Sequence, residues 1–208
     1  MRVSRLIAVA LFTSACAEPT GSERATPADL ALQEGERKTS TDPSVNPDAA
    51  AMAEFKARVD RYADLHKELA RGDARQKETA DPAKINAAQT ALANKIIAAR
   101  ADAKQGDIFT PAIRPVFRRL LAPELKGKDG RDAKAVLKDD APAPGTVSFK
   151  VNAKYPNDQP LPTVPANLLL ALPPLPAPLE YRIVGQHLLL LDTSADLVVD
   201  YILNAIST

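Results

Sequence analysis

Proline placement is the feature that most constrains how this chain can fold. Eighteen prolines interrupt an alanine-rich sequence, and each one fixes φ and removes a backbone donor, so it is tolerated at a helix start or a connector and breaks an element elsewhere. The longest apolar region, Leu168 to Leu179, is cut by Pro173, Pro174, Pro176 and Pro178. It therefore cannot form a membrane-spanning helix, and its second half is expected as an extended polyproline II rod after a short apolar helix over 165–172. In the pairs Asp81-Pro82 and Thr110-Pro111 a capping side chain precedes a proline at the first helical position; each marks a helix start.

Between these marks the periodicity is helical. Phe55, Val59, Tyr62, Leu65 and Leu69 recur at steps of three and four along one stripe. A second stripe runs through Ile85, Ala88, Leu92, Ile96, Ala99 and Ala103, with Gly106 as its expected stop. A shorter third helix carries Ile113, Val116, Phe117, Leu120 and Leu121. Residues 50–121 thus read as an antiparallel helical hairpin with a third helix, and residues 122–145, charged and rich in small residues, as a linker with one helical turn near 133–137.

Residues 146–208 change period. Val147, Phe149 and Val151 alternate with Ser148, Lys150 and Asn152, as a half-buried strand requires. Tyr155 to Asp158 reads as a turn. Residues 180–184 and 187–192 flank Gly185-Gln186, and glycine at the first central position suits a type II′ hairpin. The β-branched and aromatic run Val198, Val199, Tyr201, Ile202 favours a third strand over 197–203, reached by a turn at 194–196, against a helix through Ile206. The fold class expected is α+β: alanine-rich helices on one face of a small antiparallel C-terminal sheet.

The N-terminus reads as a targeting segment. Arg2 and Arg5 precede a short apolar run, Leu6 to Phe12, and then Thr13-Ser14-Ala15-Cys16-Ala17. As a helix that run spans only about 10 Å, at about 1.5 Å per residue, so residues 1–17 are expected as a signal peptide. Cleavage after Ala17 would follow the small-x-small pattern set by Ala15 and Ala17. Thr13 to Cys16 resembles the lipobox of bacterial lipoproteins, with Thr13 in place of the usual leucine. That resemblance implies cleavage after Ala15, lipidation of Cys16 and, with Ala17 next, an outer-membrane anchor. The chain's single cysteine stands at that position, which favours the anchored form over a soluble periplasmic one. Residues 18–49 hold seven acidic and three basic residues and almost no large apolar ones. They are expected to be a disordered tether.

The pattern Phe55, Arg58, Tyr62, then Gly106-Asp107-Ile108-Phe109, then Tyr181 to Gly185 leading to Asp192 resembles a family of exported bacterial proteins of unknown function. The resemblance covers most of the chain after residue 50 and implies no activity.

Chemistry is sparsely announced. One cysteine and two histidines leave no multi-cysteine zinc or iron-sulfur site within one chain. No glycine-rich phosphate loop or Gly-x-Ser-x-Gly turn is present, and no cofactor is expected. His187, Asp192, Asp196 and Asp200 lie close in sequence, but His187 and Asp192 point to opposite faces of one strand, so these are expected as solvated turn and edge residues and no metal site is assigned. His66 is expected as a surface histidine and Asp107 as a turn residue. The formal charge of +1 offers no global field for nucleic acid. Residues 50–121 nevertheless carry fourteen cations against nine anions, and Arg114, Arg118 and Arg119 mark a patch for an anionic partner. The function expected is that of a non-catalytic envelope interaction or structural module near a membrane, partnered by an envelope protein or an anionic lipid surface. The alternatives are a hydrolase-like enzyme with an unrecognised carboxylate site and a periplasmic module for a small ligand or metal.

Overall fold

The computed structural model describes residues 46–71, 80–142, 148–156 and 162–207. The signal peptide, its alternative cleavage positions and nearly all of the tether lie outside the described residues. Helix α1 (Pro47–Arg71) starts inside the stretch read as tether. A local cap and a distant partner hold this start: the Asn46 side chain accepts from Asp48 N at 3.0 Å, Pro47 takes the first position, and Asp48 receives Arg119 Nη2 at 2.6 Å. Its buried stripe is Ala51, Phe55, Val59 and Tyr62. Helix α2 (Pro82–Ala99) is capped by the Asp81 side chain, which accepts from Ala83 N. It stops at Arg100, short of the expected Gly106, and turns fill 100–106. Tyr62 lies against Arg100 at the end of α2. Farther along α1, His66 meets Asp192 while Gln89, earlier in α2, meets the adjacent Thr193. The two helices therefore run antiparallel.

Helix α3 (Ile113–Glu124) buries Ile113, Val116, Phe117 and Leu121. It continues into the stretch expected as a linker, and a full helix, α4 (Gly127–Asp139), occupies most of the remainder. The linker expectation is corrected here. Ala133 and Leu137 are one helical turn apart and Gly130 one turn earlier, and all three are buried. So narrow a stripe among charged residues has the composition of a solvated segment.

Helix α5 (Ala166–Ala171) buries Leu168 and is held to the end of α3 by Asn167 Nδ2 donating to Glu124 O at 2.8 Å. The sheet has the order β1-β2-β3, from β1 (Leu179–Val184), β2 (His187–Asp192) and β3 (Leu197–Ile202), all antiparallel. Gly185 has φ +59 while Gln186 does not enter the positive region, which matches the expected type II′ turn. In β3, Asp200 opposes Leu190 and Val198 opposes Leu191, so Val199 is the extra residue of a bulge.

The main core lies between the helices and the face of the sheet bearing Leu179, Tyr181, Ile183, Leu188, Leu190 and Leu197. Rings from three elements and a loop join there. Phe55 contacts Phe109 at 5.6 Å and Phe117 at 4.9 Å, and Phe117 meets Tyr181 at 6.1 Å. The opposite face packs Val184, Leu189, Leu191 and Val198 under Tyr155 and Phe149. The strand expected over 146–153 is absent among its described residues, 148–153. Asn152 takes φ +63, which bends the segment away after two backbone bonds to β3, Asn152 N to Val198 O and Val198 N to Ala153 O. No described helix is long and apolar enough to cross a membrane.

Candidate functional site

Two carboxylates expected to be solvated are fully buried: Asp192 and Asp200 are both 0% exposed. Burying an ion is costly unless its acceptor sites are filled, and both sets are filled. Asp200 Oδ2 accepts from Ile108 N at 2.8 Å and Phe109 N at 2.7 Å, and Oδ1 accepts from Gly106 N at 2.9 Å and Tyr201 N at 2.8 Å. The loop 106–109 is therefore folded around this carboxylate as a concave cradle of amides. Gly106 is required in it: φ is +96, and a Cβ would meet Arg114 Nη2 at 2.5 Å.

Asp192 is saturated in the same way. Oδ2 accepts from the Tyr62 hydroxyl at 2.8 Å and lies 2.6 Å from His66 Nδ1, while Oδ1 accepts from Ser194 N at 3.0 Å and Ala195 N at 2.9 Å. His66, expected at the surface, has a side chain only 11% exposed. The correction has a simple geometric cause. Tyr62 and His66 are one helical turn apart, so the end of β2 can meet both. Burial and the adjacent Asp192 charge push the Tyr62 hydroxyl far above its ordinary range, which keeps it a donor. Beside this carboxylate the Thr193 hydroxyl donates to Pro178 O at 3.0 Å.

The other titratable groups do not join them. His187 sits at the opposite end of β2, roughly 17 Å from Asp192 at about 3.4 Å per residue. Its Nδ1 accepts from Asn204 N at 3.1 Å, its ring lies against Phe149, and burial pushes its pKa down. Asp196 occupies the β2–β3 turn at φ +52, and burial raises its carboxyl. Asp107 is a turn residue whose Oδ2 accepts from Lys104 N. Among the described residues no group of three or more His, Cys, Asp or Glu could hold a metal ion.

The concave feature beside this framework is cationic. A cleft of about 290 Å³ is lined by Arg58, Arg61, Tyr62, Leu65, Arg100, Asp107 and Ile108. Arg58 is anchored by Glu54 Oε1 at 2.7 Å and by Asp107 O at 2.6 Å. Arg100 stacks its guanidinium 5.0 Å from the centre of the Tyr62 ring. Its hydrogen-bond acceptors are neutral, Asn152 Oδ1 at 3.0 Å and Val199 O at 3.2 Å, the carbonyl of the bulge. Burial lowers its pKa, and Asp107, Asp200 and Asp192 act on it only through longer-range attraction. Exposed Arg61 makes no hydrogen bond or ion pair with any described residue.

The arginines of the expected patch, Arg114, Arg118 and Arg119, also make contacts within the fold, while Arg118 and Arg119 stay exposed. Arg114 Nε donates to Phe109 O, Arg118 donates to Leu203 O and Asn204 O, and Arg119 pairs with Asp48. These three hold the loop, the C-terminal segment and the start of α1. Sequence reasoning missed the cleft arginines. Arg58 and Arg61 lie three apart beside Tyr62, a visible signal, whereas Arg100 is joined to them only by the antiparallel packing of α1 and α2.

In comparisons with protein-family models, with curated proteins and with solved structures, nothing matches this chain.

Proposed function

We propose that the protein is an exported, non-catalytic module of the cell envelope, held near a membrane by residues 18–49 and anchored there through Cys16. It acts by binding, and its cleft meets the anionic groups of a membrane surface. One observation carries the reading: Arg100, a half-buried guanidinium bonded only to neutral acceptors, borders the same cleft as Arg61, which is free of described partners. Guanidinium groups match phosphate and carboxylate oxyanions in pairs of parallel hydrogen bonds. A hydrolase that uses Asp192 or Asp200 itself as general base is disfavoured because both have their acceptor sites filled by structural donors. A carboxylate so committed is a poor general base.

The test is co-sedimentation of the full chain carrying Cys16→Ala, which removes acylation, with phosphatidylcholine vesicles containing or lacking phosphatidylglycerol. Binding is expected only with the anionic lipid. Arg61→Glu should weaken it by about 2 kcal/mol, at about 1 kcal/mol per basic charge near an anionic surface, while Arg131→Glu, on α4, should leave it nearly unchanged. Equal losses in the two variants, or no anionic preference, would refute the role of the cleft. Export is read separately from the intact mass of the natural chain: a species beginning at Cys16 with acyl chains is expected, a start at Glu18 would remove the anchor, and a start at Met1 would refute export.

A further inference from the structure

The two edges of the sheet are treated differently. The outer edge of β3 is covered: Asn152 and Ala153 exchange backbone bonds with Val198, Arg100 Nη2 donates to Val199 O, and Gln105 Nε2 donates to Tyr201 O. The outer edge of β1 faces no described strand. Two of its groups are satisfied locally, Leu179 N by Pro176 O and Tyr181 O by Arg182 Nη1. The two-residue turn makes Val184 and His187 the closing pair of the hairpin, so the main-chain groups of Tyr181 and Ile183 point away from β2. An open edge is a template for another strand.

The sequence of β1 specifies which strand fits. Leu179, Tyr181 and Ile183 belong to the helix-side core, and Glu180 and Arg182 stand on the other face, paired with each other and 47% and 24% exposed. About Tyr181 this pattern is its own charge complement. In an antiparallel pairing about a two-fold axis at Tyr181, Glu180 lies opposite Arg182 of the second copy, and Leu179 lies opposite Ile183. The neighbouring registers that keep both faces aligned set Glu180 opposite Glu180 or Arg182 opposite Arg182, and like charges directly opposite are unfavourable. Beside the same edge runs an apolar groove lined by Leu169, Leu170, Pro173, Pro174 and Leu175, with Leu170 85% exposed. Leu170 is the most exposed large apolar side chain among the described residues, and it borders this open edge.

We propose that a second copy of this chain docks on β1, antiparallel about a two-fold axis at Tyr181, extending the sheet from three strands to six and covering Leu169 and Leu170. This is an isologous contact that closes on itself, and it is independent of the arginine cleft.

The test is sedimentation equilibrium of the full chain with Cys16→Ala, so that acylation plays no part, with circular dichroism confirming the fold of each variant. A concentration-dependent dimer is expected. Arg182→Glu and Glu180→Arg should each weaken it by about tenfold or more, since each sets like charges across the axis. The double variant Glu180→Arg with Arg182→Glu restores complementarity about Tyr181 and should recover the dimer. A monomer at every concentration, a dimer indifferent to the single reversals, or a double variant as weak as the singles would each overturn the proposal. None of these outcomes bears on vesicle binding, so the two readings fail separately.

Discussion

Replacing Asp200 by alanine should remove much of the protein's stability, and the size of the loss follows from which donors are stranded. Four amides donate to this carboxylate. Those of Ile108 and Phe109 are buried, and each left unsatisfied costs about 1–3 kcal/mol. Those of Gly106 and Tyr201 are only part-buried and can recruit water. The expected loss for Asp200→Ala is therefore about 4 kcal/mol, a large share of a total near 5–15 kcal/mol. Asp200→Asn should lose less, about 1–2 kcal/mol, because one oxygen can still accept from Ile108 and Phe109 while its new N–H groups face the remaining donors. Urea unfolding of the full chain, followed by far-ultraviolet circular dichroism, measures both. An alanine variant within about 1 kcal/mol of wild type, or an asparagine variant as unstable as alanine, would refute the view that this carboxylate organises the 106–109 loop.

Two further perturbations test other parts of the account. A Cβ on Gly130 would lie 2.2 Å from the carbonyl carbon of Leu125, a backbone atom that cannot swing aside; Gly130→Ala should therefore destabilise by about 2 kcal/mol despite the roughly 1 kcal/mol helical gain of alanine, and a raised Tm would show the α3–α4 corner to be looser than described. His187 has its pKa lowered by burial, so the unfolded chain takes up its proton first on acidification. Its contribution is fully present above the unfolded value near 6.5 and is lost as pH falls through the folded one. The ring is only half-buried, so the effect between about pH 7.5 and about pH 5 should stay below about 1 kcal/mol. It should vanish in His187→Gln, and an identical pH profile in that variant would refute it.

Local chemistry was legible wherever a single element carried it. The helix start at Pro82, the stripe through Phe55, Val59 and Tyr62, the Gly185 turn and the third strand all follow from capping, periodicity and β-branching that act over a few residues, whereas the start expected at Thr110-Pro111 is corrected: α3 begins at Ile113 from Ala112, with no side-chain cap. The narrow buried edge of α4 was not legible, because three small or apolar positions among charges do not distinguish a packed helix from a solvated one until a neighbouring helix covers them. The segment 148–153 misled for the opposite reason. Its alternation is real, with Phe149 and Val151 turned inward, yet the left-handed Asn152 ends the pairing.

The candidate site was less legible than the fold. Asp192 and Asp200 look like turn and edge carboxylates in sequence, and Arg114, Arg118 and Arg119 look like a free basic patch. What the sequence does not show is partners more than seventy residues away: Tyr62 and His66 for Asp192, the 106–109 amides for Asp200, and the C-terminal carbonyls and Asp48 for two of the arginines. Sequence by itself determined the elements, because hydrogen bonding and hydrophobic period are local. Only the tertiary structure decided which charges are spent inside the fold and which, such as Arg61, stay exposed without a described partner. The reason is that the desolvation of a charged or polar group depends on every chain segment packed around it, however distant in sequence.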